Sequence, residues 1–278
     1  MSYSIYGGTG ILGSYFLPLY GGRPLPREEL FPVEKQVLYL ISTTSNSYDN
    51  PLLHSSTNID VLMQRLVACK EAGVEEFNFI SSWFVYGRHI APRREDDCCR
   101  PHGLYSITKY CAEQLVIDFC SYHNIDWRIL RLNNVYGGPD KSNGQRNALH
   151  YIVQQLKLGR PVEGVVNMRR DYMHIGDVCR AIACICEEAP TNDIYNVGTG
   201  ESVLLSSVIQ RCQAITKSNS EISFRHHRKG EQSLFMGLDC SKLEALGFSP
   251  LISLEEGLYD LCTSQKFSTP ARFLQMMK

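Results

Sequence analysis

The first thirteen residues constrain the fold more than any other part of the chain. Residues 2–6 form a short β-run that leads into GGTGILG, in which Gly7, Gly10 and Gly13 are spaced by three. Such a loop lets backbone amides approach a pyrophosphate at the start of the following helix, where the helix dipole favours an anion. A tight turn without a ligand is the alternative. The position between a strand and a helix favours binding, and so predicts an α/β fold that holds a dinucleotide.

A second segment, from Phe79 to Lys109, carries side chains suited to proton transfer. FNFI is a buried apolar run, and we expect it to end as a strand that delivers Ser81 and Ser82 to an exposed edge. The stretch YSITKYCAEQLVIDFC has apolar residues at helical spacing, so Tyr105 and Lys109 lie one turn apart on one helix face. The segment therefore supplies hydroxyl, phenol and ammonium groups within a short length of chain.

A phenol beside an ammonium group can serve as a base. Free tyrosine titrates near ~10, and a neighbouring cation favours the phenolate. Bringing that pKa to neutrality takes roughly three units, on the order of 4 kcal/mol. A serine hydroxyl facing the phenol could hold the substrate oxygen whose proton is moved. The tyrosine–lysine spacing alone is weak evidence, because it arises readily by chance in a chain with 15 Tyr.

The residues SSWFVYG, followed by YSITK, resemble the active site of the extended short-chain dehydrogenases, the nucleotide-sugar epimerase/dehydratase group. The resemblance covers nearly the whole chain. It implies a Rossmann-like α/β fold, with a doubly wound, mostly parallel sheet and a smaller C-terminal substrate-binding lobe. It also implies that Tyr105 is the catalytic acid/base and that Ser82 holds the substrate oxygen. Lys109 would bind the nicotinamide ribose and lower the pKa of Tyr105.

The resemblance implies NAD as the cofactor, with NADP as the alternative. The implied cofactor-binding residues lie in the glycine loop, after the strand VLYLIS and on the catalytic helix: Gly7, Thr9, Gly10, Ile11, Leu12, Gly13, Thr43, Tyr105 and Lys109. Residues 1–137 would form the NAD(P)-binding core, to which 171–200 and about 235–248 return. Residues 138–170 and 201–278 would form mainly the substrate-binding lobe.

The stretch after the glycine loop departs from the family pattern. A dinucleotide-binding fold supplies a second strand that ends in Asp or Glu some ~20 residues after the glycines. Here the chain reads YFLPLYGGRPLPREELFPVEK, and its four prolines exclude a central strand. Glu28 and Glu29 lie at about the right distance but in the wrong context. We expect the second and third strands to be deleted or replaced by a short loop, and VLYLIS (37–42) to resemble the fourth.

Several further residues match positions that contact substrate in the family. Trp83 and Phe84 stand where dehydratases carry the Asp and Glu that drive water elimination, which argues against 4,6-dehydration. They would form a wall for the sugar ring, or simply pack in the core. The remaining matches are Asn134 for the sugar or diphosphate, Asn147 and Arg228 for the diphosphate, Arg170 as a phosphate clamp and Glu231 for a sugar or nucleotide hydroxyl.

Three residues have a structural or an alternative interpretation. A guanidinium fork suits phosphate oxygens, but Arg170 could equally join a network with Asp171. Asn58 matches a family asparagine that supports the active-site hydrogen bonds, with helix capping as the alternative. His174 is interpreted as a packed residue rather than a catalyst. No metal site is expected, and the 11 cysteines are expected to be reduced and mostly buried.

Bulk properties bear on partners and location. A formal net charge of −1 gives no basis for binding nucleic acid. The start MSYSIYGG lacks the features of a signal peptide, and no apolar run approaches ~20 residues, so we expect a cytoplasmic protein that does not associate with membranes. Helices over 58–72 and 105–122 form the usual dimer of the family, which implies a homodimer.

Three functions are compatible with these observations. The first is an NAD(P)-dependent epimerase of a nucleotide-diphosphate sugar, which acts through a transient keto intermediate at C4. The second is an NADPH-dependent reductase of a keto-sugar nucleotide that uses the same residues. The third is a non-catalytic nucleotide-binding protein that has lost its adenosine pocket. The retention of Ser82, Tyr105 and Lys109 argues against the third.

Overall fold

The structure, a computed structural model, describes residues 2–43, 48–138, 148–227, 235–263 and 269–276. Three residues with predicted roles, Asn147, Arg228 and Glu231, lie outside the described residues. The strands are β1 (Tyr3–Tyr6), β2 (Arg23–Leu25), β3 (Gln36–Tyr39), β4 (Glu76–Ser82), β5 (Asp126–Leu132), β6 (Asn134–Tyr136), β7 (Val162–Val165), β8 (Arg169–Arg170), β9 (Tyr172–His174), β10 (Asp193–Val197), β11 (Val203–Leu204) and β12 (Ile222–Arg225). The helices are α1 (Ile11–Tyr20), α2 (Pro51–Asn58), α3 (Asp60–Glu71), α4 (Leu104–Tyr122), α5 (Ala148–Lys157), α6 (Ile175–Glu188), α7 (Leu205–Thr216), α8 (Ser241–Ala245), α9 (Leu254–Thr263) and α10 (Pro270–Met276), with a short 3-10 helix at Trp83–Tyr86.

Six strands form one parallel sheet in the order β10-β5-β4-β3-β1-β2. Parallel neighbours cannot be joined by tight hairpins, so the chain crosses over between them, mostly through helices. The central strands are buried along almost their whole length, which explains why β3 and β4 are apolar runs rather than alternating patterns. The Rossmann-like, mostly parallel α/β architecture predicted from the sequence is confirmed.

Helices cover both faces of this sheet. On one face α1 and α6 pack through residues such as Phe16 and Ile182. On the other face α3 and α4 pack through residues such as Leu66 and Val116. A separate apolar cluster joins α5, α7 and α9 with β7, within the stretches assigned to the substrate-binding lobe. Among the described residues, no helix is both long and apolar enough to cross a bilayer.

The prediction that the second strand is missing is wrong. The structure retains β2, which pairs in parallel with β1 through Ser4 with Arg23 and Tyr6 with Leu25. A proline is tolerated in this strand because β2 lies at the edge of the sheet, where one row of backbone groups has no strand to pair with. The third strand of the usual Rossmann order is absent from the sheet within the described residues.

The loop that follows β2 is held by side chains from distant parts of the sequence. Arg65 of α3 donates hydrogen bonds of 2.5 Å to the backbone carbonyls of Arg27 and Glu29. The hydroxyl of Tyr6 donates to the carbonyl of Leu30. The guanidinium of Arg65 also lies 5.0 Å from the centre of the Tyr6 ring. These bonds satisfy three backbone carbonyls of the loop and hold it against the fold.

All eleven cysteines lie in the described ranges and are free thiols. Most are buried in the apolar clusters, as the sequence predicted: Cys69, Cys120, Cys179, Cys186, Cys212, Cys240 and Cys262. Burial raises the pKa of thiols such as Cys179, which keeps them protonated and unreactive.

Candidate active site

The glycine loop between β1 and α1 depends on the absence of side chains at two positions. Gly7 has a φ of +83°, and a Cβ there would lie 3.0 Å from the backbone of Leu40 and Ile41. At Gly13 a Cβ would lie 2.6 Å from the carbonyl oxygen of Gly7 and from Cα of Gly8. The loop therefore packs directly on the chain that leaves β3, with no room for larger residues.

The outer surface of this loop is open. Gly10 caps α1 without a side-chain hydrogen bond, and Thr9, Gly10 and Ile11 are exposed while Leu12 is half-buried. A helix start of this kind presents backbone N–H groups and the positive end of the helix dipole. The residues present thus fit a bound pyrophosphate, which is the chemical group that such loops bind in dinucleotides.

The hydroxyl of Tyr105 lies beside two serine hydroxyls at the same edge of the sheet. Tyr105 is in the first turn of α4, and Ser42 and Ser82 lie near enough to its phenol to lower the pKa of that group. Ser82 is the last residue of β4, and its Oγ also accepts from the backbone N–H of Phe84 at 3.4 Å. Ser42 follows Ile41, on which Gly7 packs. The structure therefore brings the predicted serine and tyrosine together next to the glycine loop.

Lys109, one turn after Tyr105 on α4, is buried against β4. It is 2% exposed, and its ammonium donates to the carbonyl of Ile80 at 2.6 Å while lying 4.3 Å from the centre of the Phe79 ring. Burial lowers the pKa of Lys109 to about 7, and the nearby negative charge of Glu113 opposes that shift. Burial raises the pKa of Tyr105, against hydrogen bonds from Ser42 and Ser82 that lower it. The pKa of Tyr105 is therefore raised, whereas the resemblance implies a lowered one. The reason is that desolvation of the phenol outweighs the groups that favour the phenolate.

Ser81 does not face the site, contrary to the expectation that both serines reach an exposed edge. Successive residues of a strand point to opposite faces, and Ser81 donates its hydroxyl to the buried carboxylate of Glu113. Arg131 of β5 binds the same carboxylate through two nitrogens, at 3.1 and 2.8 Å. This buried ion pair fixes α4 against the sheet and so fixes the position of Lys109 one turn earlier.

A polar network supports α4 from the other side. Asn58 donates its amide N–H to Oγ1 of Thr108 at 2.9 Å and approaches Nε2 of His54 at 3.2 Å. Thr43 lies 2.7 Å from Nδ1 of the same histidine. Asn58 thus lies in a hydrogen-bond network beside Tyr105, as the resemblance implies. His54 was missed by sequence reasoning, although its i, i+4 spacing from Asn58 places both on one helix face.

Trp83 does not present its ring to the site as the expected sugar-stacking wall. Its side chain is 2% exposed and packs in a cluster with Met236 and Leu238. The half-buried Phe84 lies between Trp83 and Tyr105, with its ring centre 4.2 Å from that of Trp83 and 5.5 Å from that of Tyr105. Phe84 is therefore the better candidate for the wall, and Trp83 supports it from behind.

Arg170 packs against the ring of Trp83. Its guanidinium carbon lies 5.4 Å from the centre of the Trp83 ring, and its Nη1 donates to the carbonyl of Arg169 at 2.7 Å. Burial lowers the pKa of Arg170 to about 10, so the side chain remains charged at neutral pH. Asn134 is half-buried nearby in the fold, and its amide donates to the backbone carbonyl of Asp171 at 3.1 Å.

The carboxylate of Asp171 has a structural role. It accepts from the amide of Asn133 at 2.9 Å, from the hydroxyl of Thr199 at 2.6 Å and from the backbone N–H groups of Thr199 and Gly200. Its described partners therefore lie just after β5 and in the turn after β10. Burial raises the pKa of Asp171 to about 6, opposed by these hydrogen bonds.

His174 caps helix α6 rather than facing the site. Its Nδ1 accepts the backbone N–H of Gly176 at 3.1 Å, and burial lowers its pKa to about 3. A ring that stays neutral and accepts a backbone hydrogen bond is suited to capping and packing, which agrees with the interpretation from the sequence.

Comparisons with known proteins agree with this geometry. The model of the NAD dependent epimerase/dehydratase family matches residues 34–198, more than half of the chain. The match begins after the loop that follows β2, where the chain departs most from the usual Rossmann pattern. A dTDP-4-dehydro-6-deoxyglucose reductase of Escherichia coli is 28% identical over 200 residues, which are 70% of this chain and 62% of that one.

Another relative is the Bacillus subtilis protein named "Uncharacterized UDP-glucose epimerase YtcB", which is 26% identical over 209 residues. The match covers 74% of this chain and 65% of the relative, so the chain spans less than two thirds of the length of both relatives. The solved structure of Thermus thermophilus UDP-glucose 4-epimerase in complex with NAD superimposes with a TM-score of 0.80 at 23% identity, covering 99% of each chain. That likeness shows that the fold is shared.

Proposed function

Because the chain belongs to the NAD-dependent epimerase/dehydratase family, we propose that it epimerises a nucleotide-activated sugar at C4 through a transient keto intermediate. One observation carries this proposal. Ser42 and Ser82 lie near the phenol of Tyr105, Lys109 is buried one turn later on the same helix, and Gly7 packs on the backbone of Ile41, next to Ser42. Ligands bind at this edge in doubly wound sheets, since the strand ends and helix starts converge there.

Each residue of this group has a separate task in the proposed reaction. Ser82 would hold the sugar hydroxyl oxygen, and Tyr105 would remove its proton and later return one to the keto oxygen. Lys109 would favour the phenolate while charged and bind the nicotinamide ribose. A bound nicotinamide dinucleotide would accept hydride from the sugar carbon and give it back. Positioned acid–base groups of this kind contribute roughly 10²- to 10⁴-fold to rate.

The cofactor would lie along the glycine loop. Gly7, Thr9, Gly10, Ile11, Leu12 and Gly13 would surround the pyrophosphate, with Thr43, Tyr105 and Lys109 toward the nicotinamide end. The part of the site that would hold adenosine differs from the usual Rossmann pattern, because β2 ends at Leu25 and is followed by Pro26, where that pattern has an acidic residue. NAD is the proposed cofactor and NADP the alternative.

The substrate would enter from the C-terminal lobe. Phe84 would contact the sugar ring, while Asn134 and Arg170 would bind the sugar or diphosphate, together with Asn147, Arg228 and Glu231. Dehydration is disfavoured, since neither Trp83 nor Phe84 can protonate a leaving hydroxyl. We retain residues 1–137, 171–200 and about 235–248 as the proposed cofactor core and the remainder as the substrate lobe.

Reduction of a keto-sugar nucleotide by NADPH is the second candidate. The raised pKa of Tyr105 keeps its phenol protonated at neutral pH, which suits a residue that donates a proton to a keto oxygen. The Escherichia coli relative, named as a reductase, is consistent with it. The two reactions differ in what they consume, because an epimerase regenerates its cofactor and a reductase uses one NADPH per turnover.

The test incubates purified protein with UDP- and dTDP-hexoses in D2O, with no addition, with saturating NAD and with NADPH. We expect the C4 epimer to form with NAD and to retain protium at C4, because the hydrogen leaves and returns without exchanging with water. Turnover only with NADPH and a keto-sugar nucleotide would favour the reductase. If calorimetry detects binding of neither NAD nor NADPH, the non-catalytic alternative replaces both.

We also propose that the protein is a cytoplasmic homodimer that contacts its partner through α3 and α4. Both helices expose apolar side chains on their outer faces, namely Val67 on α3 and Ile107 and Tyr122 on α4. Burying such side chains between two copies would stabilise a dimer. Light scattering measures the mass in solution, and a monomer at micromolar concentration would contradict the proposal.

A further inference from the structure

Helix α2 buries polar side chains and exposes leucines. His54 and Asn58 are 3% and 4% exposed, whereas Leu52 is 82% exposed. Burying polar groups costs free energy unless they are hydrogen-bonded, and exposed leucines contribute no burial of apolar surface. This pattern therefore does not by itself stabilise the helix. Departures of this kind are expected where a helix serves a site. The buried polar face of α2 lies against α4, the helix that carries Tyr105.

The ring of His54 links two segments that border the active site. Its Nδ1 lies 2.7 Å from Oγ1 of Thr43, with Nε2 at 3.3 Å from the same oxygen. On its other side Nε2 lies 3.1 Å from Oγ1 of Thr108 and 3.2 Å from Nδ2 of Asn58. Thr43 belongs to the chain leaving β3, and Thr108 to α4. One imidazole therefore connects the sheet edge to the catalytic helix.

These partners determine which nitrogen carries the proton. The amide nitrogen of Asn58 can only donate, so Nε2 of His54 acts as its acceptor. The hydroxyl of Thr108 donates instead to the backbone carbonyl of Leu104 at 2.9 Å. A neutral imidazole has one N–H, which then lies on Nδ1 and donates to Thr43. Addition of a second proton would place Nε2–H against the N–H of Asn58 and break this arrangement.

The same ring touches the catalytic tyrosine. The edge of His54 meets the ring of Tyr105 at 5.8 Å between centres, with the planes 67° apart. Thr43 adjoins Ser42, whose side chain lies near enough to the hydroxyl of Tyr105 to lower its pKa. The contacts thus form a closed path from Ser42 through Thr43, His54 and α4 back to Tyr105.

We propose that His54 is a positioning residue that, as its neutral Nδ1–H tautomer, ties Thr43 to α4 and so holds the Tyr105 hydroxyl against Ser42 and Ser82. The proposal deepens the proposed function and rests on it for its kinetic consequence. His54 does not move the proton itself, since its ring meets Tyr105 through an edge and its nitrogens are engaged by threonine and asparagine side chains.

The surroundings keep the ring neutral. The titratable groups that face it are Tyr105 and Lys109, both from α4. Burial lowers the pKa of His54, and the positive charge of Lys109 lowers it further. We therefore expect kcat to fall at acid pH as His54 takes up a proton, at a pH below its ordinary pKa of about 6.5.

Three substitutions of His54 distinguish its contact with Thr43 from its contacts with Asn58 and Thr108. His54→Asn keeps a donor near the position of Nδ1 and so can keep the bond to Thr43. His54→Gln keeps a polar group near the position of Nε2 but loses the bond to Thr43. His54→Phe removes both bonds and retains the ring. His123→Asn, at the end of α4, is the matched control.

We expect His54→Phe to lower kcat roughly 10- to 100-fold with little change in KM for the sugar nucleotide, because misplaced reacting groups slow the chemical step. His54→Asn should recover most of that loss, and the acid limb of the kcat profile should disappear in both variants. A kcat for His54→Phe within twofold of the unsubstituted protein overturns the proposal. So does an equal loss in all three variants with an unchanged pH profile, which indicates a purely structural role.

A measurement without turnover separates this proposal from the proposed function. The ¹⁵N resonances of the His54 ring, identified by their loss in His54→Asn, report the tautomer and the pKa in the intact protein. We expect protonation at Nδ1, perturbed in Thr43→Val, and no titration at or above pH 6.5. Protonation at Nε2, or titration at the ordinary pKa, overturns the proposal even if epimerisation is demonstrated. If the expected tautomer is found but the protein turns over no sugar nucleotide, the link through His54 stands. Only the proposed function is then overturned.

Discussion

The ammonium group of Lys109 donates a hydrogen bond to the backbone carbonyl of Ile80 across 2.6 Å. This bond joins α4 to β4, the strand that ends two residues later in Ser82. Because the carbonyl is part of the central sheet, the bond fixes the amine against that sheet. The same burial that fixes it also disfavours its charge, and lowers the pKa of Lys109 to about 7.

Burying Lys109 should cost stability at low pH. Between its folded pKa of about 7 and its ordinary value of 10.5, the unfolded chain binds a proton there that the folded chain lacks, so the free energy of unfolding rises with pH across this window. Lys109→Met removes that dependence, although losing the bond to Ile80 costs about 1–3 kcal/mol. Urea unfolding measures the free energy of unfolding of both proteins at pH 6 and pH 9. We expect the difference, variant minus unsubstituted protein, to be at least ~2 kcal/mol more favourable to the variant at pH 6 than at pH 9. Lys70→Met, on the exposed face of α3, should show no such trend, and a pH-independent difference for Lys109→Met would contradict the argument.

Replacing Tyr105 by phenylalanine should abolish proton transfer and leave the fold intact. The phenol hydroxyl meets Ser42 and Ser82, so its loss removes the acid/base without changing the ring that packs on Phe84 and His54. We expect kcat to fall roughly 10²- to 10⁴-fold with NAD binding retained. The matched control is Tyr122→Phe, an exposed position at the other end of α4. Undiminished turnover in Tyr105→Phe would show that another group moves the proton.

Local sequence patterns were sufficient to predict the fold class, and they indicated Ser82, Tyr105 and Lys109 as candidate catalytic residues. The glycine spacing, the apolar runs of β3 and β4 and the helical periodicity of α4 each depend on residues close together in sequence. Parallel sheets place strand ends on one edge, so Ser82 and the glycine loop meet once the strand order is known. The family resemblance suggested the roles of Tyr105 and Lys109, and these roles stay predictions.

The features missed from the sequence depend on partners far along the chain. Strand β2 survives its proline because it lies at an edge, and its loop is held by Arg65, which is 36 residues from Glu29. Trp83 is buried because residues near Leu238 cover it. The role of His54 follows from Thr108, 54 residues away. No local pattern contains these contacts, and position in a sheet cannot be read from composition.

Arg65 should be essential to the edge of the sheet that lacks a third strand. Arg65→Met keeps the length of the side chain but leaves the carbonyls of Arg27 and Glu29 without their donors, at about 1–3 kcal/mol each. We expect the free energy of unfolding to fall by roughly 2–4 kcal/mol. Arg23→Met, which breaks only an exposed pair with Glu29, should cost less than about 1 kcal/mol. Equal losses in the two variants would show that the loop does not depend on Arg65.

For the substitution Gly13→Ala, helix propensity and packing predict opposite changes in stability. It lies inside α1, where replacing glycine by alanine ordinarily stabilises a helix by about 1 kcal/mol. A Cβ there would lie within 2.7 Å of three backbone atoms of Gly7 and Gly8, which cannot turn aside as a side chain could. Gly13→Ala should therefore lower the melting temperature and weaken NAD binding together, because the loop must move to admit the methyl group.

Gly10→Ala is the matched control, since its nearest neighbour would be a single oxygen, the carbonyl of Gly7, at 3.1 Å. We expect this variant to melt close to the unsubstituted protein, because one slightly close contact can be relieved by a small shift. Thermal unfolding and calorimetric titration with NAD measure both effects on the same samples. A Gly13→Ala variant that melts higher than the unsubstituted protein would mean that helix propensity outweighs packing here. The loop would then be loose enough to yield, and its fit to a pyrophosphate could not come from a fixed backbone.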